Sequence, residues 1–145
     1  MAKEYEMIVL GLMRYFLGIK VKQRKVEIFM SQEMYIDDLL KRFHMSTCKP
    51  LSTPMAVNEN LSKENGVELV DASIYRSLVG SLILSYQTTN SVLAVSIVSR
   101  YMNNPSKVHS GVAKRILRYV KRTKNFGLKY ESENDCKQVG FSYND

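Results

Sequence analysis

Two adjacent carboxylates, Asp37 and Asp38, follow Tyr35 and Ile36 and are the side chains of this chain best suited to hold a divalent cation. An aromatic residue, a spacer and paired aspartates can offer oxygen ligands to magnesium and so serve metal-assisted phosphoryl transfer. Two-metal chemistry draws its oxygens from more than one backbone segment, because each hard cation takes near-octahedral coordination and also bridges substrate phosphates. Asp37 is the first aspartate in the chain, and only Glu4, Glu6, Glu27 and Glu33 precede it as acids. With no aspartate on an earlier segment to converge on the pair, we expect no metal centre, no cofactor and no catalytic residue. Cys48 and Cys136 are far apart without C-x-x-C or histidine at zinc spacing, which favours reduced thiols. His44 and His109 are isolated and read as ordinary surface or helix residues.

The element carrying Tyr35 to Asp38 is expected to be a helix, whereas a catalytic hairpin would need short apolar strands on either side of the turn. Ile36, Leu39, Leu40 and Phe43 recur at three and four residues and so share one helical stripe. Asp37 and Asp38 then precede Lys41 and Arg42 by four residues, as solvent-facing pairs worth roughly 0.2–0.5 kcal/mol each. Ser31 is the expected N-cap.

The chain has 145 residues, 45% of them hydrophobic, enough for one domain with a core. No apolar run approaches the length of a membrane span, and Lys3, Glu4 and Glu6 interrupt any signal-peptide pattern, so we expect an intracellular protein of the cytoplasm or nucleus, not a secreted one. The net charge of +7 is unevenly distributed, for all 14 acidic residues lie outside positions 72–130. That window holds Arg76, Arg100, Lys107, Lys114, Arg115, Arg118, Lys121, Arg122, Lys124 and Lys129 with no opposing acid. Such a field favours phosphate backbones or anionic surfaces, with nucleic acid as the leading partner; a merely solubilising helix face is the other reading.

Along the chain, residues 1–12 read as the end of an element with a turn at Gly11. Arg14 to Lys22 and Glu27 to Ser31 read as two strands joined through Gln23, Arg24 and Lys25. A helix from Gln32 to His44 follows. Pro50 and Pro54 then impose an extended strap that continues to Val70. Asp71 should cap a second helix with an apolar stripe of Ile74, Tyr75, Leu78, Val79, Leu82 and Ile83, in which Gly80 would permit close approach. Val92, Leu93, Val95, Ile97 and Val98 suggest a mostly buried third helix, with strand as the competing reading. Asn104 should cap a fourth helix with Pro105 in its first position. That helix pairs a core face of Val108, Val112, Ile116 and Val120 with a basic face of Lys114, Arg118, Lys121 and Arg122. It suits a phosphate backbone better than a membrane, since tryptophan is absent and Phe126 stands alone nearby. Leu128 to Glu131 and Gln138 to Ser142 read as two further strands. The expected class is α+β: a short N-terminal β-hairpin, a mainly helical middle of three to four helices, and a small C-terminal strand pair.

Several segments in fixed order carry a family likeness: Tyr15-Phe16-Leu17-Gly18-Ile19, the Ser31–Met45 helix, and Cys48-Lys49-Pro50-Leu51-Ser52-Thr53-Pro54-Met55. The pattern continues through Tyr75 to Leu82, Ser99-Arg100-Tyr101-Met102, Lys114 to Val120 and Gly127-Leu128. Over essentially its whole length the chain resembles copia-type retrotransposon Pol polyproteins. The resemblance implies a position after the polymerase catalytic core, whose own Y-x-D-D hairpin would lie upstream of Phe16. It makes 1–31 a palm remnant with a primer-grip hairpin in which Phe16, Leu17 and Gly18 help seat the primer end. It makes 32–125 a thumb- and connection-like region containing the strap 50–70, and 126–145 the truncated start of a ribonuclease H-like domain.

In that last segment Tyr143 stands where the family pattern G-Y-S-D-x-D has its first aspartate, a lost nuclease carboxylate that Asp145 alone cannot replace. Thr89, Asn90 and Ser91 likewise replace a typical Arg-Pro-Asp, and Arg122 and Lys124 a typical Gly and Leu. The complete family enzyme would use magnesium; this chain is expected to be no enzyme, a catalytically incomplete fragment of the reverse transcriptase and ribonuclease H. Residual, salt-sensitive binding to RNA/DNA or DNA duplex through Arg76, Arg100, Lys107, Lys114, Arg115, Arg118, Lys121, Arg122 and Lys124 is the expected activity. The alternative is a helical module for self-association or protein interaction, with no nucleic-acid role.

Overall fold

A computed structural model of the chain describes residues 12–56, 61–62, 68–85 and 89–131. The elements run β1 (Tyr15–Phe16), β2 (Ile19–Gln23), β3 (Glu27–Ser31), α1 (Glu33–Arg42), α2 (Ala72–Ile83), α3 (Thr89–Val98), a 3₁₀ turn (Ser99–Tyr101), α4 (Lys107–Thr123) and β4 (Gly127–Glu131). The class is α+β, as the sequence suggests.

The expected first strand is cut in two by a tight turn. Phe16 pairs with Ile19, leaving Leu17 and Gly18 as a two-residue loop with φ of 48° and 83°. Positive φ at both positions is the hairpin geometry that matches the twist of the flanking strands, and Gly18 adopts it without a Cβ penalty. The β2–β3 hairpin turns through Arg24 to Val26 and sets Val21 opposite Met30. The strand from Gly127 pairs antiparallel with β3, so β4 completes one sheet in the order β1-β2-β3-β4. The second expected strand, Gln138 to Ser142, lies outside the described residues, as do the turn at Gly11, Cys136 and Tyr143. Gly127 is fitted closely here, since a Cβ on it would sit 2.2 Å from the Met30 carbonyl oxygen.

The core belongs to the helices. Ile36, Leu39 and Leu40 of α1 meet Tyr75, Leu78, Val79 and Leu82 of α2, Ala94, Val95 and Val98 of α3, and Val112, Ala113, Ile116, Leu117 and Val120 of α4. Each valine, leucine or isoleucine among them, fully buried, contributes about 1.5–3 kcal/mol by leaving water. Polar joints hold the helices in register. The Tyr75 hydroxyl donates to the Val98 carbonyl at 2.8 Å, and burial pushes its pKa up to about 12. Tyr35 donates to Ser81 O at 2.9 Å, and the Gln32 amide caps the end of α2 through Leu84 O at 2.9 Å.

Local details depart from the sequence reading in instructive ways. Gln32, not Ser31, is the N-cap of α1, and its side chain is spent on α2. Asp71 caps α2 as expected, accepting from Ser73 N at 2.7 Å. Gly80 faces open space, so it serves no close approach. α3 is a helix, but Val92 and Leu93 are exposed along with Ile74 and Ile83 of α2, because only one side of each helix meets α4 and its neighbours. The cap of α4 is Ser106, two residues beyond Asn104, and Pro105 stays outside the helix. In the strap, residues 50–56, 61–62 and 68–70 are free of helix, with Leu69 bridging to Ser106.

Candidate nucleic-acid interface

The paired carboxylates lie on α1, turned away from each other's chemistry. Asp37 bonds Lys124 Nζ through both oxygens, at 2.9 and 3.2 Å, which fastens the end of α4 to α1. Asp38 pairs with Lys41 at 3.6 Å, three residues on. The expected pairs Asp37–Lys41 and Asp38–Arg42 are therefore not formed: a lysine arriving from α4 offers Asp37 a better-shielded partner than solvent-facing Lys41. Among the described residues no group of three or more His, Cys, Asp or Glu side chains is placed to hold a metal ion.

The basic side chains divide into two sets. One set is engaged within the molecule, because the turn after α1 and the start of the strap lie along α4. Lys121 Nζ donates to Ser46 O and Cys48 O, both at 2.7 Å, Arg118 Nε to Lys49 O at 2.7 Å, and Arg115 Nη2 to Thr53 Oγ1 at 3.0 Å. The strap answers in one place, where Leu51 N donates to Arg118 O at 3.2 Å. Lys107 pairs with Glu68, and Lys124 with Asp37. The turn at 46–49 has no ladder or helix to pair these carbonyls, so the cations satisfy groups that would otherwise depend on water. The sequence could not show this, because the periodicity of α4 identifies a basic face but not what covers it.

The other set is free for an external anion. Arg100, Lys114 and Arg122 are exposed and make no ion pair among the described residues, and exposed Arg76 bonds only the Ala72 carbonyl of its own helix, at 3.1 Å. Lys114 and Arg122 stand two i,i+4 steps apart on α4, a separation of about 12 Å along the axis. Phe16 closes β1, while Leu17 and Gly18 form the exposed turn, with Tyr35 beside Gly18.

His109 proves to be neither surface nor incidental. Its Nδ1 accepts from Ser106 N at 3.0 Å while Ser106 Oγ accepts from His109 N, a reciprocal cap on α4. That places the ring proton on Nε2, near the backbone of Ser62. The ring stacks on Tyr101 with centroids 4.0 Å apart, and Tyr101 donates to Leu61 O at 2.8 Å. Burial pushes the His109 pKa below its ordinary 6.5, partly opposed by the Ser62 backbone. A histidine three residues after the cap does not match the usual Ser-x-x-Glu pattern, so only the position of Ser106 hinted at it.

No family model matches the chain, and no solved structure matches it. Curated proteins do. The chain is 39% identical over 131 residues to the retrovirus-related Pol polyprotein from transposon RE1 of Arabidopsis thaliana, covering 90% of this chain and 9% of that protein. It is 37% identical over 133 residues to the corresponding polyprotein from transposon TNT 1-94 of Nicotiana tabacum, over 85% of this chain and 10% of the relative. An uncharacterized mitochondrial protein of Arabidopsis thaliana is 36% identical across 88% of the chain and 53% of its own length. The chain thus spans about a tenth of the polyproteins it matches. No helix among the described residues is long and apolar enough to cross a membrane. Over most of its length this chain is homologous to one segment of the copia-type, retrovirus-related Pol polyproteins of transposons.

Proposed function

We propose that this segment binds nucleic-acid duplex weakly and without sequence preference, and carries no polymerase or nuclease centre of its own. The observation that supports it is charge segregation with free donors: positions 72–130 contain no acid, and Arg76, Arg100, Lys114 and Arg122 are exposed and unopposed there. Lys107, Arg115, Arg118, Lys121 and Lys124 are assigned a structural part in this reading, which reduces the phosphate-binding set from nine residues to four. A cytoplasmic or nuclear location, where duplex is met, goes with it.

Titration of a short duplex across salt is the test. Log affinity should fall with log salt at about 0.9 per phosphate neutralised on B-DNA, and the double variant Lys114→Gln/Arg122→Gln should lower that slope by about 2. An affinity indifferent to salt would overturn the reading. A magnesium-dependent primer-extension assay should give no product, and product formation would restore a catalytic role to Asp37 and Asp38.

A second reading, self-association, is favoured by one observation. Ile83 and Leu84 at the end of α2, with Val92 and Leu93 of α3, are exposed within a run from Ser77 to Ser99 that holds no charged residue. Contiguous apolar surface promotes association. Light scattering across concentration discriminates, since a constant monomer mass counts against this reading.

A further inference from the structure

We propose that Thr53 is a phosphoacceptor, an exposed Thr-Pro site in the strap whose phosphate would close onto Arg115 and lock the strap against α4. Three features converge there. Thr53 is exposed and lies outside any helix or strand, where a kinase can take a hydroxyl into its cleft. Of the three prolines in the chain, Pro54 alone follows a serine or threonine, so Thr53 is the single proline-directed hydroxyl of the sequence. The hydroxyl already faces a receiving cation, with Arg115 Nη2 at 3.0 Å.

Arg115 is also under-satisfied in a way a phosphate would correct. Its Nε is buried and donates to no acceptor, although Nε and Nη2 form the same edge of the guanidinium. One hydroxyl oxygen satisfies one of those two donors, whereas a phosphate brings three strong acceptor oxygens at a charge near −2 and can take the whole edge. Arg118 follows one turn along α4, and residues 44–56 contain no acid to repel the new charge. The step uses ATP and a proline-directed protein kinase. Thr53 Oγ attacks the γ-phosphorus, the new O–P bond forms as the bond to the β–γ bridging oxygen breaks, ADP leaves, and the hydroxyl proton passes to the kinase base.

Incubating the full chain with ATP and a proline-directed kinase, followed by peptide mass mapping and thermal melts, tests this. Phosphate should appear at Thr53, be absent in Thr53→Val and be strongly reduced in Pro54→Ala. The modified protein should gain about 2–4 °C in Tm at low salt, with a smaller gain at high salt. Arg115→Gln should accept phosphate but show no gain, which separates the clamp from the modification. Phosphate on Ser46, Thr47 or Ser52 in place of Thr53, or phospho-Thr53 with an unchanged or lowered Tm, would overturn the proposal. None of these readouts involves nucleic acid, so they stand or fall apart from duplex binding.

Discussion

The helices and the sheet of this molecule are stabilised by different means. The helices bury a continuous apolar cluster drawn from all four of them, with Ile36, Val79, Ile116, Leu117 and Val120 wholly out of water. Among the described residues the sheet has no comparable cover. Phe16, Ile28, Leu128 and Tyr130 lie with Val21 and Met30 on one face by register, yet only Val21 is buried and it stands apart from the helical cluster. What holds the strands is the backbone ladder and a rim of ions: Lys129 between Glu27 and Glu131, Arg24 on Glu27 at 2.8 Å, and Lys20 on Glu33 at 3.2 Å. The hydrogen bond from Lys129 holds the Glu27 carboxyl below its ordinary range. Exposed ion pairs are worth little, so the sheet should depend on the helices for its persistence, and the helices hardly at all on the sheet.

The largest effect should come from the helical side. Leu117→Ala removes a side chain with no exposure from the middle of α4, and the transfer and cavity costs together are about 2–5 kcal/mol. Denaturant melts followed by far-ultraviolet circular dichroism should show one transition shifted for helix and strand together. A sheet that kept its amide protection while the helices melted would break the proposed dependence. Gly127→Ala strikes the other side, where the added Cβ meets the Met30 carbonyl and the Phe29 ring. Its cost is about 1–3 kcal/mol, and hydrogen exchange should place it in β3 and β4 while the amides of α2 and α4 keep their protection.

A weaker probe acts at a polar joint of the helical half. His109 caps α4 in its neutral form, and its folded pKa is lowered below 6.5. Between the lowered value and 6.5 the unfolded chain binds more protons, so stability is present above 6.5 and is lost as pH falls through that window. Protonation also puts a hydrogen on Nδ1, where Ser106 N–H already points. Melts at falling pH should show a drop within about 1 kcal/mol, the usual worth of a helix cap. His109→Gln, which can keep the reciprocal cap, should flatten that dependence; an unchanged profile would show that another group titrates.

What was legible in the sequence follows the same division. Helical periodicity located α1, α2 and α4 and left α3 open between helix and strand, and Asp71 announced its own cap, because both signals are local. Asn104 and Pro105 mimic a helix start, but the cap of α4 falls on Ser106. The partner of β4 was not legible, because register with β3 is set across about a hundred residues of intervening chain. The basic face of α4 was legible as charge and illegible as site: Arg115, Arg118 and Lys121 are spaced like phosphate contacts, yet Arg118 and Lys121 hold carbonyls of the turn after α1 and Arg115 holds the Thr53 hydroxyl. Charge spacing reports which cations share a face; only tertiary packing reports which of them are already engaged.

The smallest effect tests the sheet from within. Leu17 is 81% exposed and sits at φ 48° in the β1–β2 turn, where a side chain branched at Cγ gains no packing and incurs the left-handed penalty. Asparagine tolerates that region and, followed by Gly18, makes the Asn-Gly pair favoured in two-residue hairpins. Leu17→Asn should therefore stabilise the hairpin by about 0.5–1 kcal/mol, visible as slower amide exchange in β1 and β2. The amides of α1 to α4 should be unaffected if the dependence runs from helices to sheet alone. Equal protection gained in α4 would mean that the sheet supports the core in return, through Lys20 with Glu33 and the packing of Tyr35 beside Gly18.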